Sequence, residues 1–300
     1  MRNLPKIQQI QLLNSVIKYG SIRAAAKELG LSQPGITRSL QELEQTLGTP
    51  LVRRGCGGTI PTQAGIMLNT RIELVLNELK RAMDEIEHLN NSTSGTVSIG
   101  ISALPISTIF PNVLMKFMGE SKKSKIFNME GHANVLLPLL RSGKLDFIIS
   151  SSMPPEYLQG LVQESLFKTP YRIYACKGHR LARCTSLGQL QDADWYLPVT
   201  AMEECNQLEL LLFNSQDRVM MRGSETAALQ MALHANCLTV AAKAMICTPF
   251  LAQNLCIIQV KEMLPDAKFS LIYSSERPLT QAAMNLMDAF RCESQNYEWD

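Results

Sequence analysis

The run GSIRAAAKELGLSQPGITRSLQELEQTLGTPLVRRGCGGTIPTQAG, from Gly20 to Gly65, sets the architecture of the N-terminal part of this chain. Gly20 can stop a preceding helix in the left-handed conformation that glycine adopts cheaply. Ser21 is placed to cap a helix over 22–29, in which Ala25 and Ala26 are small enough for close helix–helix approach. Gly30 ends that helix and Leu31 spans the turn. Ser32 then caps a third helix, where Pro34 is tolerated because first-turn amides have no intrahelical partner. Ile36, Leu40, Leu43 and Leu47 give this helix a buried stripe, and upstream Ile7, Ile10, Leu13 and Ile17 give the same signature to a first helix. Helices joined by so tight a glycine-containing turn make a helix-turn-helix.

The other face of the third helix carries Gln33, Thr37, Arg38 and Gln41 in its N-terminal half, the part that enters the major groove in this motif. Arg reads guanine O6 and N7, Gln reads adenine N6 and N7, and Thr meets a phosphate or a thymine methyl. A polar stripe alone would equally describe a solvated helix face. A solvated basic face would score the same on charge alone; the preceding helix geometry and the local charge excess together favour DNA contact. Residues 1–65 hold eight Lys/Arg against three Asp/Glu, a net +5, whereas 66–95 carry −2 and the remaining residues −1. The positive excess sits in one small segment, as a phosphate-binding module requires. After Gly48, two short extended stretches over 51–60 flank a glycine-rich tip; they read as a β-hairpin wing or as a flexible loop. In the wing reading Arg53 and Arg54 stand where phosphates or the minor groove would be met.

These residues carry a resemblance. Gly20-Ser21, Ala25-Ala26, Ser32-Gln33-Pro34, Leu43-Glu44, Leu47-Gly48, Leu51 with Arg54, and Thr62 with Gly65 resemble, at fixed spacing, the DNA-binding domain of LysR-type transcriptional regulators. The chain departs from that pattern at Val52, usually Phe, at Gly35, usually Ala, and at Pro61, usually Leu. The resemblance implies DNA contact by Gln33, Pro34, Thr37, Arg38 and Arg54; with the capping Ser32, with Gln41 and with Arg53 these form the expected DNA-binding set.

Over 66–90, Leu68, Ile72, Val75, Leu79, Ala82, Ile86 and Leu89 alternate in steps of four and three, a coiled-coil seam flanked by charge. Pairing with a second copy is the expected use of this stripe, and it matches the dimerising linker helix of the family; packing on the chain's own following domain is the alternative. Residues 91–95 read as a hinge. From Thr96 strands and helices alternate: strands are expected over 97–101, 147–150, 171–176, 238–241 and 269–273, and helices over 109–118, 135–142, 207–214, 225–234 and 279–292. That pattern predicts α/β units over parallel sheets, with ligands beyond the C-terminal strand ends. Leu140-Arg141-Ser142-Gly143-Lys144-Leu145-Asp146-Phe147 and, more weakly, Gly178-His179-Arg180-Leu181-Ala182 resemble the effector domain of the same family. That resemblance implies a two-lobed form like periplasmic solute-binding proteins, with lobe I over 96–164 and 269–300 and lobe II over 165–268. The expected effector set is then Ser102, Ala103, Leu104, Ser150 and Ser151 from one lobe, and Thr200, Ala201, Ser224 and Thr226 from the other. Hydroxyls and amides without a dominant charge suit a small polar or carboxylated molecule, although each serine by itself also suits a cap or turn.

The fold expected is therefore α/β with an all-α N-terminal part: a winged helix-turn-helix over 1–65, a linker helix and a two-lobed effector domain. The partners expected are double-stranded promoter DNA, the effector, RNA polymerase and further copies of the chain as a homodimer or homotetramer. No cofactor, metal or membrane is expected. Enzyme chemistry is disfavoured because His88, His132, His179 and His234 are scattered and no GxSxG, HExxH, Walker A or GxGxxG motif occurs. A transporter's solute-binding protein would have no use for residues 1–90. The N-terminus lacks an apolar signal core and no apolar run nears the roughly 18 residues of a bilayer span, so a cytoplasmic protein is expected. The eight cysteines include no CxxC, which predicts reduced, mostly buried thiols, with a redox sensor or metal site as alternatives.

Overall fold

Three helices, α1 (Ile7–Tyr19), α2 (Ile22–Leu29) and α3 (Gln33–Leu47), lead into the antiparallel hairpin β1 (Val52–Gly55) and β2 (Gly58–Pro61) and then into α4 (Gln63–Asn91). The computed structural model describes residues 4–55, 57–91, 95–120, 124–191, 193–198, 220–246 and 248–299. It divides into two units, 1–91 with 141–144, and 92–140 with 145–300. Gly20 and Gly30 stop helices as expected, with φ of 63° and 65°, and Gly48, with φ of 69°, ends α3 in the same way. Ser21 Oγ accepts from Ala24 N at 3.4 Å and Ser32 Oγ from Gly35 N at 3.3 Å, satisfying amides that no helical carbonyl reaches.

The stripe on α1 is rotated from the expected one. Leu12, Leu13 and Val16 are buried, Ile10 and Ile17 half-buried and Ile7 exposed, because α2, α3 and α4 all pack on α1 and widen its covered face. Leu47 is exposed as well, since the core closes through Leu43 and Leu51.

In the second unit the strands β3 (Thr96–Ile101), β4 (Lys125–Glu130), β5 (Phe147–Ser151), β6 (Leu161–Cys176), β9 (Thr239–Ala242), β10 (Leu255–Ile258) and β11 (Asp266–Ser274) form one sheet. Its order is β10-β6-β11-β5-β3-β4, with β9 also on β6; β7 (Trp195–Pro198) and β8 (Met220–Gly223) pair separately. The helices are α5 (Ala103–Ser107), α6 (Phe110–Glu120), α7 (Ala133–Arg141), α8 (Glu225–His234), α9 (Pro249–Asn254) and α10 (Gln281–Asn296). Phe147 and Ile149 point to the cluster that includes Phe110 of α6 and Phe290 of α10, and Ile148 to Leu136 and Leu140 of α7. Both faces are covered, so β5 is buried along its whole length.

The parallel sheet expected from the sequence is corrected to a mixed one. β3 runs parallel to β4 and β5, while β11, β6, β9 and β10 pair antiparallel. β6 supplies the reason. Up to Pro170 it pairs with β11, and from Tyr171 with β9, joined by β10 at Ile173. A chain that leaves a sheet along one strand and returns along its neighbour must make an antiparallel pair. Pro170, with no N–H to give, stands at the changeover. β6 also begins at Leu161 rather than Tyr171, and the short strands β4, β8 and β10 were not expected. The expected helix at 207–214 and most of the hinge at 91–95 lie outside the described residues.

Among the described residues no helix is long and apolar enough to cross a membrane. The expectation of mostly buried thiols needs correcting too: Cys237 is buried, Cys176, Cys184 and Cys256 are half-buried, and Cys292 is exposed. Burial pushes the Cys237 and Cys256 thiols up from their ordinary range. Cys56, Cys205 and Cys247 lie outside the described residues.

The C-terminal helix is tied to the sheet by charge. Glu164 accepts from Tyr273 Oη at 2.7 Å and from Arg291 Nε and Nη2 at 3.0 and 2.8 Å. Burial works to raise the Glu164 pKa, but the hydrogen bonds from Tyr273 and Arg291 and the guanidinium charge outweigh it and hold the carboxyl below its usual range. A depressed native pKa gives stability that is present above the unfolded carboxylate pKa and is lost as pH falls through the native one. Thermal unfolding between pH 6 and pH 3 (roughly the carboxylate range) should show a shallower acid decline for Glu164→Gln than for the parent, with a lower midpoint at neutral pH.

Candidate nucleic-acid interface and effector cavity

The exposed face of α3 is held from behind by main-chain bonds around Leu51. Glu44, on the inner side of α3, accepts from Leu51 N at 2.7 Å and Val52 N at 3.1 Å. Thr62 donates its N–H to Leu51 O at 2.9 Å and its hydroxyl to Pro50 O at 2.7 Å, and its Oγ1 accepts from Gly65 N at 3.1 Å. A Cβ on Gly65 would lie 2.0 Å from Leu51 O, so α4 can start here only on a glycine. The far end of the hairpin is fixed too: Thr59 N donates to Gly20 O at 2.8 Å, and a Cβ on Gly58 would meet that carbonyl at 2.4 Å. The glycine-rich tip is therefore a paired wing.

On this frame Gln33, Pro34, Arg38 and Gln41 are exposed along α3, and Thr37 is half-buried with its hydroxyl donated to Gln33 O at 3.0 Å. Ser32 serves as the cap. Arg53 and Arg54 are exposed on β1 opposite Ile60 and Thr59. Adjacent strand residues point to opposite faces, so the two arginines leave opposite faces of the hairpin. The linker stripe divides as well. Leu68 and Ile72 join the helix-turn-helix core, whereas Val75, Leu79, Ala82 and Ile86 are exposed. Leu89 carries no described side-chain placement.

In the second unit five of the seven described effector candidates are buried. Ser102 is buried, donating N–H and hydroxyl to Ile149 O at 2.9 and 3.3 Å. Ala103 and Leu104 are buried at the start of α5, a single short turn with little dipole to offer an anion. Ser150 and Ser151 are buried, and Ser150 Oγ has no hydrogen-bond partner among the described residues. Ser224 caps α8 by accepting from Ala227 N at 3.2 Å, and Thr226 is exposed. Thr200 and Ala201 lie outside the described residues.

A small cavity lies where β6 changes partner, lined by Leu104, Tyr171, Pro198, Glu225, Val240 and Met245. Leu104 is the expected residue that reaches it. The sequence reading missed Tyr171 and the buried Glu225, since an apolar strand residue and a first-turn glutamate carry no signal of a cavity until the strands assemble. The two motifs of the effector domain are structural. Asp146 Oδ2 accepts from Ser98 N at 2.7 Å, locking β5 to β3. His179 is buried, accepting from Leu181 N at Nδ1, 3.1 Å, with Nε2 placed 3.2 Å from Asn236 O. That pairing fits the neutral tautomer protonated at Nε2. Among the described residues no three His, Cys, Asp or Glu side chains cluster as metal ligands.

Comparison with known proteins places this arrangement. Residues 7–66 match the profile of the bacterial regulatory helix-turn-helix protein, lysR family, and residues 90–295 that of the LysR substrate binding domain. The HTH-type transcriptional regulator TdcA of Escherichia coli strain K12 is 31% identical over 288 residues, covering 95% of this chain and 92% of that one. Full-length CbnR complexed with its target DNA shares the fold with a TM-score of 0.69 at 18% identity, over 96% of this chain and 99% of that chain. ArgP from Mycobacterium tuberculosis does so with a TM-score of 0.68 at 16% identity, over 97% and 98% of the two chains.

Removing the Glu44 carboxylate should loosen the wing without unfolding the chain. Glu44→Ala is expected to cost about 1–3 kcal/mol in thermal unfolding of the N-terminal unit. Amide exchange at Leu51 and Val52 should quicken, while Glu44→Gln, which keeps one acceptor, should lie between.

Proposed function

We propose, for a chain that belongs to the LysR family of bacterial helix-turn-helix transcriptional regulators, that it binds promoter DNA in the cytoplasm as an oligomer and answers to a small polar or carboxylated effector. The observation that carries this is the main-chain clamp on Leu51, which fixes wing and recognition helix as one surface in the basic segment of the chain. Arg38, Gln33 and Gln41 read base edges in the major groove, Pro34 and Thr37 approach the same groove, and Ser32 holds the helix start. Arg54 anchors the wing on the backbone, and Arg53, facing the other way, contributes charge. RNA polymerase is the partner through which such binding acts on transcription.

Oligomerisation rests on Val75, Leu79 and Ile86, which continue a heptad series after its first members have entered the core. A second copy offers the matching stripe, so a homodimer is the smallest assembly that covers it. Met115 and Met118 on α6 and Phe127 and Met129 on the edge strand β4 are also exposed, a second apolar surface that supports a homotetramer.

The effector domain extends over 96–300, with lobes meeting along β6 and β11, and the cavity at Tyr171 lies at their junction. Glu225 is buried there. The proposed effector set is Ser102, Ala103, Leu104, Ser150, Ser151, Thr200, Ala201, Ser224 and Thr226, of which Leu104 lines the cavity and Thr200 and Ala201 lie outside the described residues.

Footprinting of the full chain on the DNA upstream of its own gene tests the regulator reading; absence of any protected site would overturn it. Arg38→Ala should cost roughly 1–3 kcal/mol and relax preference at one base pair, whereas Arg54→Ala should weaken all sequences evenly and lower the salt slope by about one. Light scattering at micromolar concentration should give a multiple of the chain mass for the parent and a smaller species for Leu79→Asp.

A further inference from the structure

The 1–65 segment holds three acidic residues, Glu28, Glu42 and Glu44, in a strongly basic context, and two of them lie on α3. Glu44 has a structural use on the wing main chain. Glu42 has none of that kind: its side chain is about half exposed, and its carboxylate meets Arg38, with Oε1 3.2 Å from Arg38 Nε. Arg38 is itself 84% exposed, on the rim of a groove that Lys6, Gln8 and Ser39 also line. Among the described residues no wall of side chains packs the guanidinium, so the carboxylate one turn further along α3 is what orients it.

We infer that Glu42 is a positioning and specificity residue for DNA reading, holding the Arg38 fork toward a guanine and penalising phosphate in its place. The inference rests on the assignment of Arg38 to base reading. Guanidinium has a side edge that includes Nε and an end edge formed by Nη1 and Nη2. With Nε engaged by Glu42, the end edge is left free, and it is the edge that matches guanine O6 and N7. A long side chain restrained before binding loses less freedom when it docks. On DNA without the guanine, Arg38 would turn to a phosphate, which brings that phosphate toward the Glu42 carboxylate. The repulsion is small in open water and grows as the interface dries. Glu42 thus lowers non-specific affinity more than specific affinity, discrimination by a repulsive element. An exposed pair at this spacing contributes little to folding, so its removal leaves the domain intact.

The test uses the full chain and two probes, a duplex selected by the parent from a random pool and the unselected pool of the same length. Glu42→Gln should bind the unselected pool about threefold to tenfold more tightly, with its thermal midpoint unchanged. A selection run with Glu42→Gln should show weaker preference at the base pair that Arg38→Ala also relaxes. In the Arg38→Ala background, Glu42→Gln should tighten both probes alike and leave base preference where Arg38→Ala put it. If Arg38→Ala relaxes a base pair and Glu42→Gln leaves that preference intact, the positioning role is overturned while the reading of Arg38 stands. If Arg38→Ala relaxes no base pair, both fall together.

Discussion

Between Gly48 and Gly65 the chain must turn out of α3, form a ribbon and re-enter a helix, and the peptide groups of Pro50, Leu51 and Val52 at that bend would lose water without gaining partners. Glu44 and Thr62 supply them, from the helix before and the helix after. The cost of leaving such groups unpaired, rather than any apolar contact, explains why a carboxylate is kept half-buried on the inner side of α3. The same bend brings α4 so close that Leu51 O occupies the space of a Cβ at Gly65. The third helix, wing and linker helix therefore share one fixed origin, and the placement of the exposed side chains on α3 and the wing is inherited from it.

The second unit is organised by a strand with two allegiances. β6 belongs to β11 before Pro170 and to β9 and β10 after Tyr171, so the two parts of the sheet are joined by continuous backbone rather than by a loop. The cavity forms at that junction, where Tyr171 and Glu225 come near Leu104. Elsewhere the unit is tied by ion pairs and rings: Arg291 with Glu164, and Phe167 stacked between Phe269 and Trp299 at centroid distances of 4.9 and 3.5 Å. The C-terminal segment thereby closes over the strand that links the parts.

Local chemistry with a short reach was written in the sequence. Gly20, Gly30 and Gly48 stop helices because left-handed backbone is cheap only for glycine, and Ser21 and Ser32 cap them because their hydroxyls reach the next turn's amides. These signals involve residues three to five apart, so reading them needs no knowledge of the rest of the chain. The recognition face follows, since a helix with one stripe in the core must show the opposite stripe to solvent. What depended on distant partners was not legible. The stripe on α1 shifted because three helices share it, and the linker heptads divided between the core and an exposed face. The sheet became mixed because β6 and β11 oppose each other. Whether the effector-side serines cap, bond or bind was open in the sequence; Ser102 is bonded to Ile149 O and Ser224 caps a helix. Sequence by itself determined the helix-turn-helix, its caps and its basic character, because those rest on backbone conformation and local charge. Only the tertiary structure decided which backbone groups Glu44 satisfies, which linker residues stay exposed and which side chains line the cavity. Those are matters of burial and close approach between segments far apart in the chain.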